Sequence, residues 1–373
     1  MEDGQYMTIA LEAARKGIGS VEPNPAVGCV IVKEGAIVAT GWHERFGGPH
    51  AEVNALADCR GKGVDPTGST MYVTLEPCCH FGKTGPCTEA IIAAGISRVV
   101  VAVEDPSRHV AGNGIKRLKE AGIFVETGLC REQAFFLNAP FFKHAATSRP
   151  WVIAKWAQSA DGYLARSNGG WISNEQSRAD VHRFRRRCQG ILVGIDTVIA
   201  DDPMLNVRQE GSVWDRQPVR VVLDCALRIP PDRKVLDVST SSTVIVITSE
   251  TFRDKAKRVN EIAETGAEVL AVQSRAGRCN LPDVLDQLGR RGIQQLLVEG
   301  GRKVLTSFIR EGLVDEVRVY VSGEKLGETG RIKITDEMAG AAGSGKLVNV
   351  CEESFGEDRC ISGFTHPVQG SFS

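Results

Sequence analysis

The sequence predicts two α/β domains in tandem, and three observations carry that expectation. Apolar, β-rich runs alternate with helical ones on both sides of a break near residue 150. At 373 residues the chain exceeds what one hydrophobic core usually supports, a domain averaging roughly 150 residues. Residues 146–150, which include Thr147-Ser148-Arg149-Pro150, have the composition of a short linker and divide the chain into 1–145 and 151–373.

Composition narrows the function classes. With 45 basic and 46 acidic residues the formal net charge is −1, so no global field favours a nucleic acid or a membrane surface, and small-molecule chemistry is expected. The 11 cysteines are odd in number, and no basic-then-apolar leader occupies residues 1–20. Free or metal-bound thiols in a reducing cytoplasm are therefore expected. No apolar run approaches the length that crosses a bilayer, about 20 residues, so a soluble protein is expected.

In the first half, Met7, Ala10, Leu11 and Ala14 fall at helical spacing within residues 6–16, and Gly17 ends the run. Residues 26–32 and 36–42 read as a hairpin about Lys33-Glu34-Gly35, with further strands at 71–75 and 99–103. Helices are expected at 51–57 and 87–94, the second stopped by Gly95. The aromatic run Phe135, Phe136, Phe141 and Phe142, interrupted by Pro140, is expected to pack between this domain and the next.

Chemistry concentrates between Pro49 and Cys87. Pro49-His50-Ala51-Glu52 opens the stretch; Thr74-Leu75-Glu76-Pro77-Cys78-Cys79-His80, Lys83 and Pro86-Cys87 close it. One imidazole and two thiolates fill three corners of a zinc tetrahedron and leave the fourth for water, the mark of a catalytic rather than a structural site. His50, Cys78 and Cys87 are the expected ligands, with Cys79 a competitor for Cys78. Zinc lowers the pKa of a bound water from about 15.7 to near 7. Glu52, two residues past His50, is the expected proton carrier. His-x-Glu followed by Pro-Cys and a second Cys is the pattern of zinc deaminases acting on amino-bearing heterocycles, so hydrolytic deamination is expected. Eight residues rather than two separate Cys78 from Cys87. That longer loop, with His80 and Lys83, suits an anion and suggests a phosphorylated substrate. Asn24, in the rigid turn Pro23-Asn24-Pro25, is either a turn former or a reader of a heterocycle edge.

In the second half, strand-like runs at 152–157, 191–193, 219–223, 243–247, 269–272, 295–298 and 317–321 alternate with helical stretches at 174–187, 281–290 and 303–310. A mostly parallel sheet is expected, binding ligands outside the carboxyl ends of its strands. Val298-Glu299-Gly300-Gly301 joins a strand to a helix, a turn whose N–H groups suit a phosphate. Without Gly-x-Gly-x-x-Gly it specifies no dinucleotide by itself. Arg185 is either a phosphate fork or part of a solvated basic face with Arg183, Arg186 and Arg187.

Together, Pro23-Asn24-Pro25-x-Val27-Gly28, Gly41-x-His43, Pro49-His50-Ala51-Glu52-Val53, Thr74-Leu75-Glu76-Pro77-Cys78-x-His80-x-Gly82-Lys83-Thr84 and Pro86-Cys87 resemble the bifunctional deaminase/reductases of riboflavin biosynthesis. So do Lys155, Ser159-x-Asp161-Gly162, Trp171-Ile172-Ser173, Gly194-x-x-Thr197-Val198-x-Ala200-Asp201-Asp202-Pro203-x-Leu205, Arg208 and Val298-Glu299-Gly300-Gly301. The resemblance runs from about residue 5 to about 330. It implies a cytidine-deaminase-like domain followed by a dihydrofolate-reductase-like domain, zinc and NADPH as cofactors, a phosphorylated pyrimidine substrate, and a homo-oligomer, dimer or tetramer. It further implies that Asn24 and the backbone at Ala51 hold the pyrimidine and that His43, His80 and Lys83 hold the ribose phosphate. In the second domain it assigns Ala157, Trp171, Thr197, Asp201 and Gly301 to the cofactor. Lys155, Arg185, Leu205, Arg208 and Glu299 go to the substrate. No acid for the reduction emerges from the sequence, and Lys155 or Glu299 could serve. Gly169 and Cys225 stand where the family usually has serines that meet substrate and cofactor, which motivates the alternative of an active deaminase with a non-reducing partner domain. A nucleic-acid base deaminase and a purely structural zinc module are further alternatives. The tail after residue 330 carries no assignment.

Overall fold

Strict alternation of buried faces builds the first sheet. In the computed structural model, Cys29, Ile31, Met71, Val73, Val99 and Val101 face one core, while Val30, Val32, Tyr72, Val100 and Ala102 face another. Successive strand residues point to opposite faces, so two-sided burial requires helices on both. The structure describes all residues except 81–84, 108–109, 210–211, 214–215, 241, 253–254, 344 and 368–373. The described chain divides into two units, Met1–Thr147 and Ser148–Pro367.

The first unit runs α1 (Asp3–Arg15), β1 (Gly28–Lys33), β2 (Ala36–Trp42), α2 (Ala51–Gly61), β3 (Thr70–Val73), α3 (Cys87–Ala93), β4 (Arg98–Val101), α4 (Asn113–Glu120), β5 (Phe124–Thr127), α5 (Arg131–Leu137) and α6 (Ala139–Thr147). Its sheet has the order β2-β1-β3-β4-β5. The β1–β2 and β1–β3 pairs are antiparallel, and β3–β4 and β4–β5 are parallel. α1 covers one face through Tyr6, Met7, Ala10 and Leu11; α2 covers the other through Ala51, Ala55, Leu56 and Cys59.

Phe135 and Phe142 of the aromatic run belong to this unit's own core. Phe135 stacks on Phe142 with ring centroids 4.3 Å apart, and both join the cluster around Tyr6 and Val30. Pro140 does not interrupt the structure: it lies in the first turn of α6, where its missing N–H has no helical partner to lose. α6 then continues through Thr147, so the first part of the expected linker is helical.

The second unit begins β6 (Trp151–Gln158), β7 (Tyr163–Arg166), α7 (Glu175–Arg185), β8 (Gly190–Gly194), α8 (Ile195–Asp201), β9 (Arg208–Gln209), β10 (Ser212–Val213), β11 (Val219–Leu223) and β12 (Val244–Ser249). It continues α9 (Ala256–Ala263), β13 (Glu268–Val272), β14 (Ser274–Arg275), β15 (Arg278–Cys279), α10 (Leu281–Arg290), β16 (Gln295–Val298), α11 (Arg302–Arg310) and β17 (Glu316–Val321). It closes with β18 (Gly330–Lys333), α12 (Asp336–Ala341), β19 (Val348–Phe355) and β20 (Asp358–Phe364). Nine strands form one sheet, ordered β13-β12-β11-β8-β16-β6-β17-β20-β19. Pairing is parallel from β13 to β17 and antiparallel at β20 and β19.

The unassigned tail thus completes the sheet. The β19–β20 hairpin covers β17, and Asp358, 2% exposed, turns inward. Its carboxylate accepts from Asn174 N (2.8 Å) and Ser177 Oγ (2.7 Å), fastening the start of α7 to the hairpin. Asn174 itself caps α7 by accepting from Ser177 N at 2.9 Å. Asp161, two residues beyond β7's entry turn at Ser159, accepts from Leu326 N (3.0 Å) and Gly327 N (2.8 Å) and so holds the loop after β17.

Candidate functional site

In the first unit, three donors converge at the start of α2 and α3. His50 is the N-cap of α2 and Cys87 the first residue of α3, while Cys78 lies on the loop after β3. His50 Nδ1 lies 3.5 Å from Cys78 Sγ and 3.3 Å from Cys87 Sγ. Bonds of about 2.0–2.1 Å to nitrogen and 2.3 Å to sulfur, meeting at the tetrahedral angle, put the donor atoms about 3.5 Å apart. The three side chains therefore fit a zinc ion, with all ligand atoms within 4.8 Å of one another. Cys79 is not part of this set. Cys87 N–H also donates to Cys78 Sγ at 3.4 Å, which favours a thiolate there. Hydrogen bonding from the Cys87 thiol, and then from His50, pulls the Cys78 thiol down to about 4.

Glu52 is 3% exposed in the first turn of α2. Burial raises its carboxyl above the ordinary range, the direction that suits a group taking and returning a proton near neutrality. Helix α2 is brought close by Gly41 of β2: a Cβ there would stand 2.2 Å from Ala55 N and 2.4 Å from Ala51 O. No other residue allows that approach.

His43, 3% exposed, is fixed at both nitrogens. Its Nδ1 lies 2.9 Å from Pro49 O, which only a donor can satisfy, so Nε2 is the acceptor facing Asn24 Nδ2 at 3.4 Å. Its ring stands edge-on to His50, centroids 5.4 Å apart, and burial lowers its pKa. Asn24, His43, His50 and Ala51 are thereby linked through one small neighbourhood. His80 is exposed on the loop that follows Cys78. Lys83 lies outside the described residues.

Glu76 is a residue the sequence reading passed over. Its buried carboxylate accepts from Asp105 N (3.1 Å), Gly112 N (3.0 Å) and Ile115 N (3.1 Å), gathering the loop before α4 beneath Pro77-Cys78. Gly114 completes the fit, since a Cβ there would meet Pro77 O at 2.1 Å. A carboxylate immediately before Pro77-Cys78 was the available signal.

In the second unit, Arg185 and Glu299 form a buried ion pair, their side chains 14% and 7% exposed. Arg185 Nε and Nη2 donate to Glu299 at 2.8 and 2.5 Å, and Nη1 donates to Asn206 O at 3.0 Å. Arg185 is therefore turned inward, not part of a solvated face; Arg183 is the exposed one. Burial alone would raise Glu299, but Arg185 overrides it and holds the carboxyl down at about 2. Lys155 faces the same pair, its ammonium lowered by burial while Glu299 opposes that shift. Its Nζ sits 5.4 Å from the centroid of the Tyr320 ring.

His182 joins this cluster and was not anticipated. It precedes Arg185 by one helical turn on α7, and its Nδ1 accepts from Arg208 N at 3.4 Å. The two α7 side chains thus grip 206–208 through one carbonyl and one N–H. Burial and the neighbouring Arg185 and Arg208 push His182 down to about 4. Leu205, 4% exposed, and exposed Arg208 flank the gripped segment.

Of the residues expected at a cofactor, Thr197 and Gly301 are brought together. Gly301, the N-cap of α11, has φ +75, and a Cβ there would stand 3.1 Å from Thr197 Oγ1. A bare backbone turn at the head of a helix fits a phosphate-bearing cofactor. Asp201 ends α8, and Ala157 lies in β6 opposite Tyr320 of β17. Trp171 is 73% exposed, with the Arg178 guanidinium 5.3 Å from its ring centroid.

Comparison with known proteins agrees with both halves. The model of the cytidine and deoxycytidylate deaminase zinc-binding region matches residues 1–103, and that of the RibD C-terminal domain matches residues 150–353. The riboflavin biosynthesis protein RibD of Aquifex aeolicus is 44% identical over 328 residues, covering 87% of this chain and 88% of its own. That of Escherichia coli is 39% identical over 343 residues, covering 89% and 90%. Among solved structures, Acinetobacter baumannii RibD superposes with a TM-score of 0.81 at 37% identity, over 98% of this chain and 99% of that one. A diaminohydroxyphosphoribosylaminopyrimidine deaminase/5-amino-6-(5-phosphoribosylamino)uracil reductase from Thermotoga maritima gives 0.78 at 35% identity, over 97% and 98%.

Proposed function

This chain belongs to the RibD family, the bifunctional deaminase/reductases of riboflavin biosynthesis, and on that premise we propose how its residues divide the two reactions. His50, Cys78 and Cys87 hold a catalytic zinc, and the single observation that carries this reading is their spacing at tetrahedral-edge separations beside buried Glu52. Zinc, when bound, supplies a water activated for attack at neutral pH. The substrate is 2,5-diamino-6-ribosylamino-4(3H)-pyrimidinone 5′-phosphate. Glu52 takes one proton of the attacking water and delivers it to the ring nitrogen, then takes the second from the added hydroxyl and delivers it to the departing amine, which leaves as ammonia. Asn24 and the Ala51 backbone orient the pyrimidine, and His43, His80 and Lys83 orient the phosphoribosyl group.

The second unit then reduces the ribosyl group, with NADPH supplying the hydride. Ala157, Trp171, Thr197, Asp201 and the turn at Gly301 would hold that cofactor. Arg185, Leu205, Arg208 and Glu299 position the sugar phosphate. Opening the sugar to a ribityl chain breaks the bond from C1′ to the ring oxygen, and that oxygen needs a proton. Glu299, ionised at neutral pH beside Arg185, has none to give. Lys155 is therefore the donor, with Glu299 as the charge that holds it in place.

Mass spectrometry of the diaminopyrimidine substrate, with and without NADPH, tests both steps. The ring amine should become an oxo group without cofactor, and two hydrogens should be gained only with it. E52Q should slow the first change by about 10²–10⁴-fold and leave the second intact when the deaminated compound is supplied. Full deamination by E52Q would overturn the assignment.

A further inference from the structure

Cys225 follows β11 by two residues, at the carboxyl end of a parallel strand. Its carbonyl is held by Thr248 Oγ1 (3.0 Å) and Ser249 N (3.3 Å) of β12, so the thiol has a fixed origin. Cys279, 6% exposed, reaches the same point from β15, and its N–H donates to Cys225 Sγ at 3.2 Å. The Cys279 thiol donates to Ile247 O at 3.9 Å. An N–H directed at a sulfur stabilises the thiolate of that sulfur. Hydrogen bonding from Cys279, above burial, draws the Cys225 thiol down to about 6, and Cys279 is raised in turn. Cys225 is half-buried and reachable, whereas Cys279 is enclosed. A lower-pKa accessible thiolate beside a buried second thiol is the arrangement of an attacking and a resolving cysteine.

We infer that Cys225 and Cys279 form a dithiol site in the second unit that accepts two-electron oxidation by a low-molecular-weight disulfide and closes into an intrachain disulfide. Cys225 thiolate attacks one sulfur of the small disulfide, forms a mixed disulfide and expels the other half as a thiolate. Cys279 then loses its proton to solvent and attacks Cys225 Sγ, expelling the second half. Two protein thiols are oxidised to one disulfide, and one small disulfide is reduced to two thiols. Closing the bond ties the turn after β11 to the β14–β15 hairpin at the ligand-binding edge of the sheet.

The test uses the full chain loaded with zinc, incubated with oxidised glutathione and digested under acid quench for peptide mass mapping. The expected product joins the peptides of Cys225 and Cys279, has lost two hydrogens and is reversed by dithiothreitol. C279S should stop at glutathione carried on Cys225, and C225S should give neither product. Glutathione persisting on Cys225 in the unsubstituted chain, or no reaction there while exposed Cys351 is modified, would overturn the inference.

Discussion

His182 and Arg185 set the register of the proposed reductase site, because each holds one backbone group of the segment that carries Leu205 and Arg208. Replacing the rigid imidazole by a longer, flexible amide displaces that acceptor and weakens one hydrogen bond, worth on the order of 0.5–1.5 kcal/mol. H182Q should therefore raise the reductase KM for the phosphorylated substrate by about 3–10-fold, with kcat nearly unchanged and deamination untouched; equal loss in both reactions would indicate general misfolding instead. The same residue gives a pH signature. Its folded pKa of about 4 lies below the ordinary 6.5, so the unfolded chain binds the proton first. The stability it contributes is complete above pH 6.5 and drains as pH falls toward 4. Glu299, down at about 2 from 4.5, adds a second loss at lower pH. Thermal midpoints measured from pH 7 to 4 should fall in the unsubstituted chain and flatten in H182Q, while the loss below 4.5 persists in both. A midpoint that rises on acidification would contradict both signs. The convergence of His50, Cys78 and Cys87 was legible in the sequence because a proposed metal centre demands particular atoms at particular spacings. His182 was not, since a histidine inside the basic run ending in Arg183, Arg185, Arg186 and Arg187 has no distinguishing period.

Elements were readable where burial imposes a period and obscure where single contacts decide. The alternation in β1, β3 and β4 fixed two faces, and the parallel strands of the second sheet read as continuous apolar runs. The β19–β20 hairpin escaped notice because β19 is an edge strand, mostly exposed and acidic, whose place is set by Asp358 gripping Asn174 and Ser177 far away in sequence. The aromatic run spans α5 and α6, and the break at Asn138 between those helices lets Phe142 stack on Phe135 within one core, a turn that apolar spacing alone does not announce. Close backbone approach is equally silent in a single sequence. At Gly41, the Cβ of G41A would collide with backbone atoms of Ala51 and Ala55, which no rotamer change relieves. Helix α2 must then move away from β2, carrying His50 and Glu52 with it. We expect G41A to destabilise the first unit by about 1–3 kcal/mol and to lower deamination by about 10²-fold, what a 1 Å displacement of catalytic groups costs. Reduction of the deaminated compound should be unaffected. Unchanged deamination would mean that β2 yields instead, and that the β2–α2 contact does not set the metal site.

At the scale of the whole chain, two sets of packed residues stand behind two chemistries. The clusters of the first unit draw on residues between Tyr6 and Phe142, and the large cluster of the second on residues between Val152 and Leu347. The proposed metal ligands all belong to the first unit. Structural zinc sites contribute folding free energy outright, whereas a site with a preformed sheet around it loses chiefly its chemistry when the metal leaves. Here His50 starts α2, whose approach to β2 rests on Gly41, and Cys78 follows Glu76, whose carboxylate holds three backbone N–H groups, contacts independent of any ion. Dialysis against a zinc chelator should therefore abolish deamination while NADPH oxidation on the deaminated compound continues at its original rate. Added zinc should restore the first activity in stoichiometric proportion. E52Q should bind the same zinc yet remain inactive in deamination, separating loss of metal from loss of the proton carrier. Collapse of both activities on chelation would instead make the metal a support for the chain as a whole. Persistence of deamination in the verified metal-free protein would remove zinc from the reaction, and with it the reading of His50, Cys78 and Cys87 as its ligands.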